Sequence, residues 1–419
     1  MPHARSHARA RSGRTCAHMH GPARRTSSGR ARSRGLEQVE PVKVGVLFSQ
    51  SGCTSHIGLN QLRGTLQAIE EINEAGGAGG REIVPVARDA RSDPAAYAFL
   101  AEQLIADEGV NVLFGAYMSS SRKALIPVIE KWDKLLFYPT LYEGFEFSPN
   151  IVYTGAAPNQ NSVQLAEFMT THFGARVYLV GSDYIYPYES NRIMVDLISQ
   201  QPGGAKLGEQ YVPLDAGERD FLPIVQDIRA RQPDFVFSTL VGDSAAAFYR
   251  AYAEAGIDPR KSPIASLTTS EVELEQMGHA VAAGHFTSSP YFQSVDSEVN
   301  RRCIRRLKAR FGDDAVASML WEAAYFQVHL FANALAAAGS ERRGDLLPHL
   351  LGAEFDAPQG RVKIDPQTQH TCLYPRIGRA ASNGGFVIVR EATRRVHPDP
   401  YLVTHSLGDR TQVLSDVTW

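Results

Sequence analysis

The sequence predicts an α/β protein made of two doubly wound parallel-sheet units. Three observations carry this. Short apolar runs alternate with longer segments whose apolar residues recur at helical spacing. The first run, 42–48 (VKVGVLF), is continuous rather than alternating, as a strand covered on both faces is. The pattern then restarts after residue 161, in a chain of 419 residues that is too long for one compact core.

The first unit reads strand 42–48, helix 62–75, strand 83–87, a helix opened by Asp93-Pro94, strand 110–114, a helix to residue 134, and strand 135–137. Gly76-Gly77 stops the first helix. Asp93 is a side-chain cap with Pro94 at the first helical position. Ser120 or Ser121 is the expected cap of the third helix. A further strand is expected at 151–154, followed by a polar turn, Pro158-Asn159-Gln160-Asn161.

The second unit reads helix 162–173, strand 176–180, helix 190–199, strand 208–212, helix 221–231, strand 234–238, helix 244–255 and strand 264–267. After a crossing at 284–291 come helices 298–311, 318–338 and 346–351. The segments 360–364, 370–377 and 385–389 read as a terminal antiparallel set.

The formal net charge of −2 hides an asymmetry. Residues 1–35 hold nine arginines and no acid, so the remainder carries −2 − 9 = −11. An acidic body disfavours general phosphate-backbone binding. The segment 1–40 reads as a disordered basic leader, with too few apolar side chains to bury and no apolar stretch of secretory-signal length. No run has the ~18–20 apolar residues of a membrane span. Four scattered cysteines form no CxxC pair, so no zinc or thioredoxin-like site is expected.

Catalytic templates are incomplete. Ser120-Ser121-Arg122-Lys123 matches S-x-x-K, but the S-D-N and K-T-G partners are missing. No G-x-S-x-G, GxGxxG after a strand, GxxxxGK[ST] or HExxH is present. No enzyme, cofactor or metal is expected. What remains is a set of strand ends rich in small hydroxyls and rings. They are 49–54, 117–119, 138–140, 183–186, 240–242 and 268–271, three from each unit. The stretch 137–161 is central to them. In α/β proteins ligands bind at such strand ends. These stretches hold no Arg or Lys, which favours a small neutral polar ligand over a carboxylate or phosphate.

Several segments in order resemble the amide- and urea-binding branch of the type I periplasmic-binding-protein superfamily, and within it the amide sensors that regulate aliphatic amidase expression. They are GAYMSSSRKA (115–124), 138–161, GSDYIYPYESN (181–191), SLTTSE (266–271), WEAAY (321–325), DAPQG (356–360) and PDPY (398–401), within a likeness running from about 43 to 403. The resemblance implies two lobes joined by a three-strand hinge. The expected N-terminal lobe is 41–157 with 285–362, the C-terminal lobe 158–284 with 363–405, and the tail 406–419. It implies a short aliphatic amide as ligand. Ser119 would contact it through main chain or hydroxyl, and Tyr138 would line the site. Thr140 and Tyr184 would hydrogen-bond the amide, and Tyr117 and Val241 would limit ligand length. The implied partner is an RNA-binding antiterminator protein, with a cytoplasmic location; self-association is left open. The stretch 141–158 is similar as well to urea-transport binding proteins, which would instead make the chain an exported component of a urea or short-amide ABC transporter.

Overall fold

The computed structural model describes residues 40–403 and the strand 414–416. The expectations for residues 1–39, and for most of the tail, lie outside the described residues. The first sheet holds β1 (Val42–Leu47), β2 (Ile83–Arg88), β3 (Val112–Gly115), β4 (Leu135–Tyr138) and β5 (Ile151–Tyr153) in the order β2-β1-β3-β4-β5, all parallel. Helices α1 (Ser55–Glu74), α2 (Pro94–Ala106) and α3 (Ser119–Lys131) connect them. Asp93 caps α2 by accepting from the Ala95 amide at 3.0 Å, as its sequence predicts.

The second sheet is fed by α4 (Pro158–His172), β6 (Arg176–Ser182), α5 (Ile185–Ser199), β7 (Ala205–Val212), α6 (Glu218–Arg231), β8 (Phe235–Thr239), α7 (Asp243–Glu254), β9 (Ile264–Ser266), α8 (Glu271–Met277), α9 (His279–Ala282) and β10 (Phe286–Ser289). The chain then returns to the first sheet through α10 (Glu298–Phe311), α11 (Met319–Ala338) and α12 (Arg343–Leu350). α11 packs along α1, and so closely that a Cβ on Gly64 would sit 2.3 Å from the Trp321 carbonyl oxygen.

Three further strands, β11 (Glu354–Ala357), β12 (Gly360–Ile364) and β13 (Thr371–Cys372), form a small antiparallel sheet. β14 (Arg376–Ala380), β15 (Phe386–Ala392) and β16 (Leu414–Asp416) extend the second sheet, giving the order β16-β15-β14-β10-β9-β8-β6-β7. The single terminal set expected from sequence is therefore split between two sheets. β10 pairs parallel with β9, so the chain leaves the second sheet after Ser289 rather than near residue 285.

Several helices begin earlier than periodicity predicts. α1 starts seven residues before Leu62, α5 five before Ser190, and α4 at Pro158, where sequence indicated a polar turn. α3 is preceded by Met118, which makes no side-chain cap, so neither Ser120 nor Ser121 plays that role. In the first two turns of α1 and the first turn of α4, polar residues are buried: Asn60, Gln61, Asn159, Gln160 and Asn161 are at most 2% exposed. All but Asn161 bond to other segments, and an apolar-periodicity reading passes over them. Gln160 Nε2 donates to the carbonyls of Thr371 and Val396, both at 2.9 Å. Asn159 Nδ2 donates to the His397 carbonyl at 2.8 Å. The start of α4 thereby binds the chain crossings to one another.

Candidate functional site

The site is built where β3 and β4 end. Beyond Gly115 the chain turns through Ala116, whose φ of 67° is a left-handed conformation that strains an alanine. Two bonds from the end of β4 hold that turn. Thr140 Oγ1 donates to the Ala116 carbonyl at 3.1 Å, and the Tyr138 hydroxyl to the Tyr117 carbonyl at 2.7 Å. Gln61 Nε2 on α1 donates to Thr140 Oγ1 at 3.0 Å. Gly155 passes against Thr140 so tightly that a Cβ there would lie 2.2 Å from the Thr140 oxygen.

Behind the turn lies a buried charge network. Arg122, on the first turn of α3, has no exposed surface. Its guanidinium donates to Glu143 Oε1 at 2.9 Å, to Glu146 Oε1 at 2.6 Å and to Ser119 Oγ at 3.1 Å. Ser119 Oγ in turn donates to Glu143 Oε2 at 2.5 Å. The rings of Tyr138 and Tyr142 cover the guanidinium, 5.0 and 4.7 Å away. Burial opposes the Arg122 charge, but Glu143, Tyr138 and Glu146 more than offset it and keep the group protonated. The Tyr142 hydroxyl bonds His370 Nε2 at 2.6 Å, and His370 stacks on Tyr153 at 4.1 Å, so the network reaches the crossing segments.

In front of the turn is a small cavity, lined by Tyr117, Ser119, Thr140 and Leu141 on one side and by Tyr184, Tyr186 and Thr268 on the other. Its free space is about that of one water molecule. The hydroxyls of Tyr117 and Tyr186 are buried without a hydrogen-bond partner. Burial pushes the Tyr117, Tyr184 and Tyr186 hydroxyls upward, so all three are neutral donors. No charged side chain lines the cavity.

Of the residues singled out by sequence, Tyr117, Ser119, Thr140 and Tyr184 meet at this cavity. Tyr138 does not line it; the ring is fully buried behind the turn and its hydroxyl is committed to Tyr117. Val241 is likewise absent from the lining, being 2% exposed with its amide donating to Ser182 Oγ at 3.2 Å. The Ser119 hydroxyl is held between Arg122 and Glu143, which leaves its main chain for a ligand. Leu141, Tyr186 and Thr268 were not singled out as residues, though the last two lie in flagged strand ends. Arg122 escaped because it stands just beyond the strand-end stretch, in a segment read as a helix cap with surface cations.

The family described as periplasmic binding protein domain matches residues 42–407. The chain belongs to the periplasmic binding protein family. A Leu/Ile/Val-binding protein homolog 6 of Brucella suis is 27% identical over 372 residues, covering 86% of this chain and 93% of that protein. Among solved structures, a solute binding protein of an ABC transporter from Rhodopseudomonas palustris HaA2, in complex with p-hydroxybenzoic acid, is similar with a TM-score of 0.76 and 23% identity. It covers 87% of this chain and 99% of that one. The branched-chain amino acid transporter substrate binding protein LivJ of Streptococcus pneumoniae, in complex with isoleucine, matches with a TM-score of 0.72 and 18% identity, over 83% and 99% of the two chains. At these identities the two structures establish the fold. As a periplasmic binding protein, the chain is a ligand-binding protein of type I fold and not an enzyme. Among the described residues, no helix is long and apolar enough to cross a membrane.

Proposed function

We propose that this protein is the solute-binding component of an ABC transporter for a small neutral polar molecule, a short aliphatic amide or urea. The observation that carries this is the uncharged lining of the small cavity between hydroxyl-bearing strand ends. An α-amino acid brings a carboxylate and an ammonium group, and each desolvated charge needs a partner. The nearest cation, Arg122, already faces two carboxylates. An amide needs only a few donors and acceptors. Tyr117, Tyr184 and Tyr186 supply hydroxyls, the Ser119 main chain an amide, and Thr140 Oγ1 a further acceptor lone pair.

The regulatory reading, with an antiterminator protein as partner and a cytoplasmic location, rests on the likeness of short segments alone. The family match and the relatives' names favour transport and the periplasm. A thermal-shift panel of acetamide, butyramide, urea, leucine and p-hydroxybenzoate tests the ligand class, with stabilisation by the first three expected. Stabilisation by leucine or p-hydroxybenzoate alone overturns it. Cell fractionation tests the setting: recovery in the cytoplasm, bound to an RNA-binding protein, would replace transport with regulation.

A further inference from the structure

At one corner of the cleft a single imidazole bridges the two halves. His56 stands on the first turn of α1, which packs on the first sheet. Its Nδ1 is 3.6 Å from Asp243 Oδ1, at the start of α7, and its Nε2 is 3.7 Å from Glu273 Oε1, in α8. Both helices belong to the second sheet's side. Beside them the Asp243 amide donates to the Cys53 carbonyl at 3.3 Å. Gly242 approaches so closely that an added Cβ would lie 2.3 Å from that same oxygen. These contacts join the two sides of the cleft.

The pairing asks for a proton. Carboxylate oxygens only accept hydrogen bonds, and a neutral imidazole donates through one nitrogen only. With each ring nitrogen facing a carboxylate, the neutral ring must oppose a lone pair to one of them. The imidazolium donates to both. His56 Nε2 and Glu273 Oε1 are both buried and neither has a hydrogen-bond partner. The other Glu273 oxygen is already used, accepting from the Ser270 amide at 2.8 Å and hydroxyl at 2.6 Å. Asp243 Oδ1 accepts from Gln276 Nε2 at 2.6 Å. Among the described residues, no lysine or arginine pairs with Asp243 or Glu273.

We propose that His56 is a protonation-dependent latch between the two lobes, its imidazolium holding them closed through Glu273 and Asp243. The inference rests on the reading of the chain as two hinged lobes but not on which ligand the cleft takes.

The surrounding groups set the direction. Burial disfavours the charged ring, but Glu273 and Asp243 outweigh it and hold His56 above its ordinary value. Further titratable groups at this corner are the half-buried Cys53 thiol, raised by burial and by the nearby Asp243 and Asp215, and the Tyr117 hydroxyl, raised by burial and by Glu273. The thiol and the hydroxyl stand beside the ring without a charge of their own. The dipole of α1 opposes a cation on its first turn, so opening, which removes the carboxylates, weakens the ring's hold on its proton. A value raised above the ordinary 6.5 means that the latch is fully present below that ordinary value and is lost as pH rises through the closed-form one.

Small-angle X-ray scattering of the ligand-free full chain, from about pH 5.5 to about pH 8.5, reads the opening without depending on any ligand. The radius of gyration of the wild type is expected to grow with pH. That of His56→Gln and of Glu273→Gln is expected to stay at the larger value throughout. A wild type without pH dependence, or variants that keep it, overturns the proposal. Histidine-selective NMR of the wild type supplies a second reading that needs no variant. His56 titrating at or below about 6.5 in the closed protein contradicts the latch.

Discussion

The Arg122 guanidinium and the Glu143 carboxylate meet at 2.9 Å, both buried, directly behind the Ser119 hydroxyl. The pair turns a potentially cationic floor into a neutral one and fixes the first turn of α3 against the cavity. Removing one member leaves the other charge buried without its partner, which costs about 3–5 kcal/mol. Arg122→Met is therefore expected to lower unfolding stability by about that amount. It should also weaken ligand binding, because Ser119 loses its anchor. Chemical denaturation with a normal midpoint would show that the pair is dispensable.

Tyr184 and Tyr138 separate contact from support. Tyr184 lines the cavity, whereas the Tyr138 hydroxyl bonds the Tyr117 carbonyl from behind. Tyr184→Phe should weaken ligand binding by roughly 1–3 kcal/mol, the cost of leaving a buried polar group unpaired, with little change in stability. Tyr138→Phe should instead lower stability by about 0.5–1.5 kcal/mol through loss of the strand-end bond. Calorimetric affinity and melting temperature measured on both variants check the split; equal effects on both quantities would argue against it.

Gly155 is set by a close approach rather than by a turn. A Cβ there would lie 2.0 Å from the Thr140 carbonyl carbon, and backbone cannot swing aside as a side-chain tip can. Gly155→Ala should cost about 1–3 kcal/mol from overpacking and displace Thr140 from the cavity. An unchanged urea midpoint would mean that the crossing is looser than drawn.

Stability should peak near pH 6.5. Burial pushes the Glu271 and Glu322 carboxyls up to about 8 and holds His285 down at about 3 and His329 and His370 at about 4. Each histidine's contribution is complete above its unfolded value of 6.5 and is lost as pH falls toward its folded value. Each glutamate's is complete below 4.5 and is lost as pH rises to about 8. Between 4.5 and 6.5 the three histidines outweigh the two glutamates; above 6.5 the glutamates are joined by His56, whose value is raised and whose contribution is lost in the same direction. Each unopposed group changes stability by about 1.4 kcal/mol per pH unit. Melting temperatures across this range check the peak, and Glu322→Gln should flatten its alkaline side.

Most strands, and the helices whose outer turns are apolar, were legible in the sequence, because buried parallel strands leave continuous apolar runs. The helix starts facing the cleft were not. Gln61, Asn159 and Gln160 are buried for their hydrogen bonds, so they break the periodicity that marks a helix. At the site, the strand ends were visible as hydroxyl- and ring-rich stretches, and Tyr117, Ser119, Thr140 and Tyr184 do meet. Which side of each ring faces the cavity was not visible. Tyr138 and Tyr184 are the same residue type in the same kind of stretch, and they are distinguished by the packing of Arg122 against Tyr138 and by the Tyr138 hydroxyl's bond to the Tyr117 carbonyl. The partnership of Glu143 and Glu146 with Arg122 spans more than twenty residues, beyond the reach of local spacing.

The central claim is that the cavity takes a small neutral molecule. Isothermal titration of the purified protein with acetamide, urea and leucine tests it most directly. The account predicts saturable binding of acetamide or urea, weakened in Tyr184→Phe, and no binding of leucine. Binding of leucine with neither neutral compound would contradict it, since the desolvated ammonium and carboxylate would then have found partners that the uncharged lining does not provide.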